Sequence, residues 1–127
     1  MRRQLEALNR ADFSEALGRF ASSVEWWDRA DELNPTVHRG HDGVGAMLAD
    51  FAEHFAKLQI EATEFIVLGD CVVVPVHLVA RGRASGVPIE EDEVHVYRLD
   101  DGKITEVREY NTKSEALEAL ALEGYVD

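Results

Sequence analysis

The amino-acid sequence specifies an α+β domain in which a curved antiparallel sheet carries helices on its concave face around a pocket. Residues 71–111 (CVVVPVHLVARGRASGVPIEEDEVHVYRLDDGKITEVREYN) hold three runs rich in β-branched residues. They are separated by Gly82 to Val87 and by Asp100 to Lys103, the pattern of a long antiparallel meander. The flanking segments place apolar residues at helical spacing, and helices gathered on one face of an antiparallel sheet define the class.

Taken in order, Leu5, Leu8, Phe13, Ala16, Leu17 and Phe20 form one apolar helical stripe that ends before Ser22 and Ser23. Asp12 is the N-cap of its second segment and Glu15 the capping-box partner. Val24 to Asp28 predicts a short strand with Val24, Trp26 and Asp28 on one face and Glu25 and Trp27 on the other. Arg29 to Pro35 reads as a loop, Thr36 to Arg39 as a short strand, and Gly40 as the turn into a helix capped by Asp42. That helix carries Val44, Met47, Leu48, Phe51, Phe55 and Leu58. Ile60 to Leu68 is extended, and Gly69-Asp70 turns the chain into the meander. Pro75 lacks a ladder donor and belongs at a bulge or where no neighbour needs the bond. Ser114 to Leu122 is a final helix with an N-cap serine and apolar Leu117, Leu120 and Leu122, placed to close one end of the sheet.

The 127 residues suffice for one domain, 1–127, with a core of its own. No apolar run is long enough to span a bilayer, and Gln4, Glu6 and Asn9 stand where a secretory signal needs apolar residues, so a cytoplasmic location is expected. The single cysteine, Cys71, excludes an internal disulfide and a thiolate metal cluster. A net charge of −12 without a basic stripe argues against nucleic acid and anionic membrane as partners.

The turn at Asp100-Asp101-Gly102 decides which side chains share a sheet face. A three-residue loop with Gly102 left-handed pairs Leu99 with Lys103, Tyr97 with Thr105, His95 with Val107, Glu93 with Glu109 and Glu91 with Asn111. One face then gathers Glu93, His95, Tyr97, Val107, Glu109 and Asn111. A two- or four-residue loop shifts the pairing by one and sets His95 beside Arg108 instead.

Histidine titrates near neutrality, so His95 with Glu93, Glu109 and Tyr97 is the leading acid–base group if that face is enclosed; otherwise the glutamates point to water. Asp28 follows two tryptophans and is either a pocket base or a cap on the loop after it, and Trp26 shares its face as a flat apolar wall. Val74, Val76, Leu78 and Val107 complete an apolar wall. His38 and His41 flank Arg39-Gly40, but the strand-to-helix change scatters them, which argues against a metal site. His54, near Phe51 and Phe55, is expected as a partly buried core histidine, the alternative being the pocket mouth, and His77 on the outer face. Arg98, Glu106, Arg108 and Tyr110 also lie outside, with Val73, Val79, Val94, Val96 and Ile104, a mixture that suits a homodimer interface through the sheet.

The ordered set RFASSVEWWD, HRGHDGV, GDCVVV, GRASGVP and HVYRLDDGKITEVREYNTKSEALEAL resembles the SnoaL-like branch of the NTF2-like superfamily over nearly the whole chain. The resemblance implies an α+β cone. That fold hosts isomerases, cyclases, hydrolases, dehydratases and binding modules, and the superfamily agrees with a homodimer. It places Asp28 where ketosteroid isomerases keep a general-base aspartate, and His95 where they keep an oxyanion-donating acid. Their further tyrosine donor on the first helix has no counterpart, Gln4 standing near its place, which argues against standard steroid isomerisation.

The combined expectation is an enzyme acting on a small apolar oxygenated metabolite, with Asp28 as proton acceptor and His95, held by Glu93 or Glu109, as donor. Trp26, Val76, Leu78, Tyr97, Val107 and Asn111 would bind the substrate. No phosphate loop, cysteine pair or nucleophile elbow is present, so neither cofactor nor metal is expected. The alternative is a ligand-binding or dimeric interaction module without a reaction, and Asp28 and His95 facing one cavity separates the two.

Overall fold

The computed structural model describes residue 6, residues 13–29 and residues 36–125. Its elements are α1 (Phe13–Gly18), β1 (Phe20–Trp27), β2 (Val37–Arg39), α2 (Gly40–His54), β3 (Phe55–Ala62), β4 (Ile66–Leu68), β5 (Cys71–Gly82), β6 (Pro88–Asp100), β7 (Lys103–Tyr110) and α3 (Lys113–Leu122). The expected Leu5 and Leu8 stripe, the Asp12 cap and Gln4 lie outside the described residues.

Seven strands form one open, curved sheet in the order β2-β1-β7-β6-β5-β3, with β4 also paired to β5. The meander supplies its centre as expected, but the sheet is mixed, because β1 runs parallel to β7. Phe20 opens β1 instead of closing α1: it pairs with Ile104 and packs, 1% exposed, in the core. The inner face buries Val24, Trp26, Val74, Val76, Tyr97 and Val107 against Val44 and Leu48 of α2. Burial of this kind contributes roughly 1.5–3 kcal/mol per large apolar side chain and is the main term holding α2 on the sheet.

Two bulges set the faces. The β6–β7 connection is a two-residue turn, with Asp101 at φ 51° and Gly102 at φ 77°, and it pairs Asp100 with Lys103 and Leu99 with Ile104. Left-handed backbone at both central residues makes this a type I′ hairpin, whose twist matches the flanking strands. The register then shifts, so that Arg98 faces Glu106, Tyr97 faces Val107 and His95 faces Glu109. Thr105 is the extra residue, and its hydroxyl donates to the Arg98 carbonyl at 3.2 Å. The expected partners are therefore displaced by two residues along β7, while the shared face of Glu93, His95, Tyr97, Val107 and Glu109 survives. The same bulge carries Ile104 inward to the core beside Val107, away from the outer face where alternation put it.

The second bulge corrects the end of α2. The helix stops at His54, and Phe55 is already extended and paired with Gly82. Lys57 at φ 57° is accommodated by a register shift between Ala56 and Gln59. This shift lets Phe55, Leu58 and Ile60 face the same cavity, a spacing that also reads as helical in the sequence. Asp42 lies in the first turn of α2 rather than at its N-cap, which is Arg39. Its charge still complements the helix dipole.

Pro75 sits where β3 gives way to β4 along the edge of β5, and its carbonyl accepts from Thr63 N at 3.0 Å. The N–H and C=O of a strand residue point to the same side, so the missing donor falls at this junction.

The last helix begins two residues earlier than the Ser114 cap suggested, with Thr112 as its N-cap. Thr112 Oγ1 accepts from Glu115 N at 3.2 Å, and Glu115 in turn accepts from Asn111 N. Instead of closing the end of the sheet, α3 lies on its outer face, where Ala116 and Leu120 bury Cys71, Val73, Val94 and Val96. Much of the apolar outer face is thus covered within the chain.

Candidate functional site

Alternation along β6 turns Glu91, Glu93 and His95 toward the concave side, and Glu109 stands opposite His95 on β7. Parallel pairing sets Trp26 of β1 beside Val107, so its indole reaches Glu109: Nε1 donates to Oε2 at 2.8 Å. With Asp28 and Arg29 beyond the end of β1, these groups line one cavity of about 330 Å³. Its opposite wall is apolar, built by Met47, Leu48, Phe51, Phe55, Leu58 and Ile60.

Asp28 and His95 therefore open on one cavity, the arrangement on which the enzyme expectation depended. Leu78, Trp26 and Glu93 also line it. Val76, Tyr97 and Val107 do not: they are 2%, 0% and 0% exposed and form the core beneath it, because the sheet is covered at those positions by α2. Asn111 lies past the end of β7, bonded to the first turn of α3.

His95 is 2% exposed, and both ring nitrogens are bonded within the protein. Nε2 lies 2.7 Å from Glu93 Oε1 and Nδ1 lies 3.2 Å from the Tyr97 hydroxyl. Burial pushes Glu93 up, but the hydrogen bond and charge of His95, with the Arg29 guanidinium 3.9 Å away, outweigh it and hold the carboxyl below its ordinary value. Glu93 is thus the acceptor and Nε2 the donor. Burial, reinforced by the charges of Glu109 and Glu93, pushes Tyr97 far up, so it remains a phenol within hydrogen-bond distance of Nδ1. The ring is locked as a structural link between Glu93 and Tyr97.

Glu109 is tuned the other way. Burial pushes its carboxyl up; the His95 charge and the Trp26 N–H oppose this, while Glu93 and Asp28 add to it, and the net is upward. Two neighbouring carboxyl groups are thereby driven in opposite directions. Asp28 is partly exposed and held from both sides, with Oδ1 3.2 Å from His38 Nε2 and Oδ2 accepting from Thr36 N at 3.4 Å.

Among the described residues, Glu93, His95 and Glu109 each offer a ligand atom within 4.8 Å of the others, a largely buried donor set able to take a metal ion; Asp50, Glu53 and His54 form an exposed one. His38 and His41 are not brought together: His41 Nε2 is bonded to the Phe20 carbonyl at 2.9 Å while His38 turns to Asp28. His54 is exposed rather than in the core, since α2 ends there, and His77 pairs with Asp92 and Glu90 on the outer face.

Sequence reasoning missed Arg29 and the His38–Asp28 pair, both beside the β1 end. A lone cation following the predicted strand was the available signal for Arg29.

A model of the SnoaL-like domain matches residues 1–107. The chain belongs to the SnoaL-like family. An NTF2-like protein from Burkholderia pseudomallei is 25% identical, with a TM-score of 0.77 over 92% of this chain and 91% of that one. A Mesorhizobium loti protein provisionally assigned as a SnoaL-like polyketide cyclase is 24% identical, with a TM-score of 0.66 over 84% and 92% of the two chains. AclR from Streptomyces galilaeus, provisionally assigned as a hydroxylase, is 18% identical, with a TM-score of 0.71 over 91% and 79%. A search of the curated proteins finds no match. These likenesses establish the NTF2-like fold for the SnoaL-like chain. Among the described residues no helix is long and apolar enough to cross a membrane.

Proposed function

We propose that this SnoaL-like protein is a cofactor-independent acid–base enzyme acting on an apolar, oxygenated ring metabolite. The observation that carries the reading is Glu109, a half-buried carboxyl raised above its ordinary value, in the same cavity as Asp28. Glu109 holds a proton and gives it to a substrate carbonyl oxygen as Asp28 takes a proton from the adjacent carbon, forming an enol. Return of a proton to another carbon isomerises the substrate; attack by the enol carbon on a carbonyl in the same molecule closes a ring. His95 is a positioning residue, acting through Glu93, because neither of its nitrogens is presented to a ligand. The cyclase and hydroxylase assignments of the two neighbours support an oxygenated ring substrate.

The assay is deuterium uptake from D2O into the carbon α to the carbonyl of cyclic enones and 1,3-diketones, followed by NMR. Wild-type protein is expected to speed exchange, and Glu109→Gln and Asp28→Asn to lose it by roughly 10²-fold or more. Binding across the panel without exchange would leave the second reading, a ligand-binding module, which the internally bonded His95 favours. The same proposal places the protein in the cytoplasm as a homodimer through the outer sheet face, where Arg108 stacks on Trp27 with 4.4 Å between guanidinium carbon and ring centroid. A monomer mass by light scattering at every concentration would remove the dimer.

A further inference from the structure

Resting on the reading that Glu109 is the acid of this cavity, we infer that Trp26 is its positioning residue: the indole N–H fixes Glu109 Oε2 as the carbonyl oxygen and leaves the transferable proton on Oε1. Among the described residues, the one hydrogen bond that reaches the Glu109 carboxyl comes from Trp26, with Nε1 donating to Oε2 at 2.8 Å. An indole N–H donates and never accepts. The carbonyl oxygen of a carboxylic acid is a stronger acceptor than its hydroxyl oxygen, so Oε2 takes the carbonyl role and the hydroxyl falls on Oε1. The other polar side chains nearby are committed elsewhere. His95 spends its nitrogens on Glu93 and Tyr97, Arg29 lies against Glu93, and Asp28 is held by His38 and Thr36 N.

The indole is itself fixed in place. Trp26 lies within the sheet, paired with His38 on β2 and with Val107 on β7, and is 5% exposed. Its ring meets Phe20 at 62° with 6.1 Å between centroids and His95 at 75° with 5.8 Å, edge-on contacts that hold its orientation. The same bond sets how readily the proton leaves. Asp28 and Arg29 face Glu109 from the end of β1 and Glu91, Glu93 and His95 from β6, with the Tyr97 phenol beneath, while α2 lends the cavity apolar side chains. Within that set, burial, Glu93 and Asp28 favour the protonated carboxyl, and the His95 charge and the Trp26 N–H favour the carboxylate. A hydrogen bond to an ionised acceptor is about twice as strong as one to a neutral acceptor, so Trp26 keeps Glu109 an acid able to give its proton up.

The test is a 1H–15N NMR titration of the indole N–H groups in the intact protein, with Trp26 and Trp27, its two tryptophans, told apart by Trp26→Phe. Trp27 Nε1 is buried with no hydrogen-bond partner among the described residues and serves as the internal reference. The Trp26 N–H is expected to move downfield as Glu109 ionises, with the same midpoint as the Glu109 carboxyl 13C signal, and to stay fixed in Glu109→Gln. Trp26→Phe, which keeps an aromatic wall, is expected to shift the Glu109 midpoint upward. It should also lower the deuterium-exchange rate at saturating enone by about tenfold while KM changes less than about twofold. A Trp26 N–H that does not follow Glu109, a Glu109 midpoint unmoved in Trp26→Phe, or a rate loss lying wholly in KM would each overturn the inference and leave Glu109 as the acid. If the wild-type protein exchanges no member of the enone and diketone panel, the acid–base reading falls and takes the inference with it.

Discussion

Replacing Glu93 by glutamine tests the charge pattern of the site through stability, without knowledge of a substrate. Glu93 is 9% exposed in its side chain, so the interaction is poorly screened by solvent. Its carboxylate accepts from His95 Nε2 at 2.7 Å, and a glutamine amide in its place would keep the geometry but remove the charge. A hydrogen bond to a charged group contributes about 1.5–3 kcal/mol and a neutral one about 0.5–1.5, so the substitution costs roughly 1–2 kcal/mol. For a chain of this size that lowers Tm by about 3–10 °C. Because the folded carboxyl lies below its unfolded value, its contribution is complete above the ordinary carboxylate range and disappears as pH falls through the depressed folded value. The difference between wild type and Glu93→Gln should therefore be full at pH 7 and shrink in acid. Glu109→Gln should behave oppositely. A carboxyl raised in the fold loses stability as the pH climbs from its ordinary value up through its folded value, so glutamine relieves that penalty and raises Tm at pH 7. Thermal melts of both variants across the acid range are the assay. Equal destabilisation by the two substitutions would refute the opposite displacement of the two carboxyls.

Leu120→Ala should cost about 2–5 kcal/mol in urea unfolding and expose the sheet surface around Val73, Val94 and Val96, because α3 covers it. A urea midpoint equal to that of the wild type would show that α3 does not dock there. Gly102→Ala should cost about 1–2 kcal/mol from backbone alone, since φ is 77° and nothing lies within 4 Å of the added methyl. An unchanged urea midpoint would contradict the type I′ turn.

Much of the site was legible in the sequence because strand alternation is robust. Glu93, His95 and Glu109 share a face under the expected register and the observed one, since a two-residue slip preserves parity. The turn itself misled: Asp100-Asp101-Gly102 suits a three-residue loop as well as the Asp101-Gly102 turn, and the compensating bulge at Thr105 has no sequence mark. Phe55, Leu58 and Ile60 fit a continuing helix until pairing with β5 claims them, a tertiary effect that local periodicity does not contain. The parallel β1–β7 contact has the same origin. Tyr97, Val76 and Val107 were placed on the right face, but a face does not say where α2 ends its cover and the cavity begins. The same gap misplaced α3: its apolar residues declare a buried side without naming the surface that buries them.

The central claim is that Glu109, not His95, carries the exchangeable proton in the cavity. Carboxyl 13C NMR titration of Glu93 and Glu109, assigned with the two glutamine variants, tests it most directly, and both apparent values belong to a coupled set. The account predicts that Glu109 titrates above its ordinary value and Glu93 below, and that Glu109 falls when Glu93 is neutralised. Glu109 titrating together with Glu93, or below it, would contradict the account.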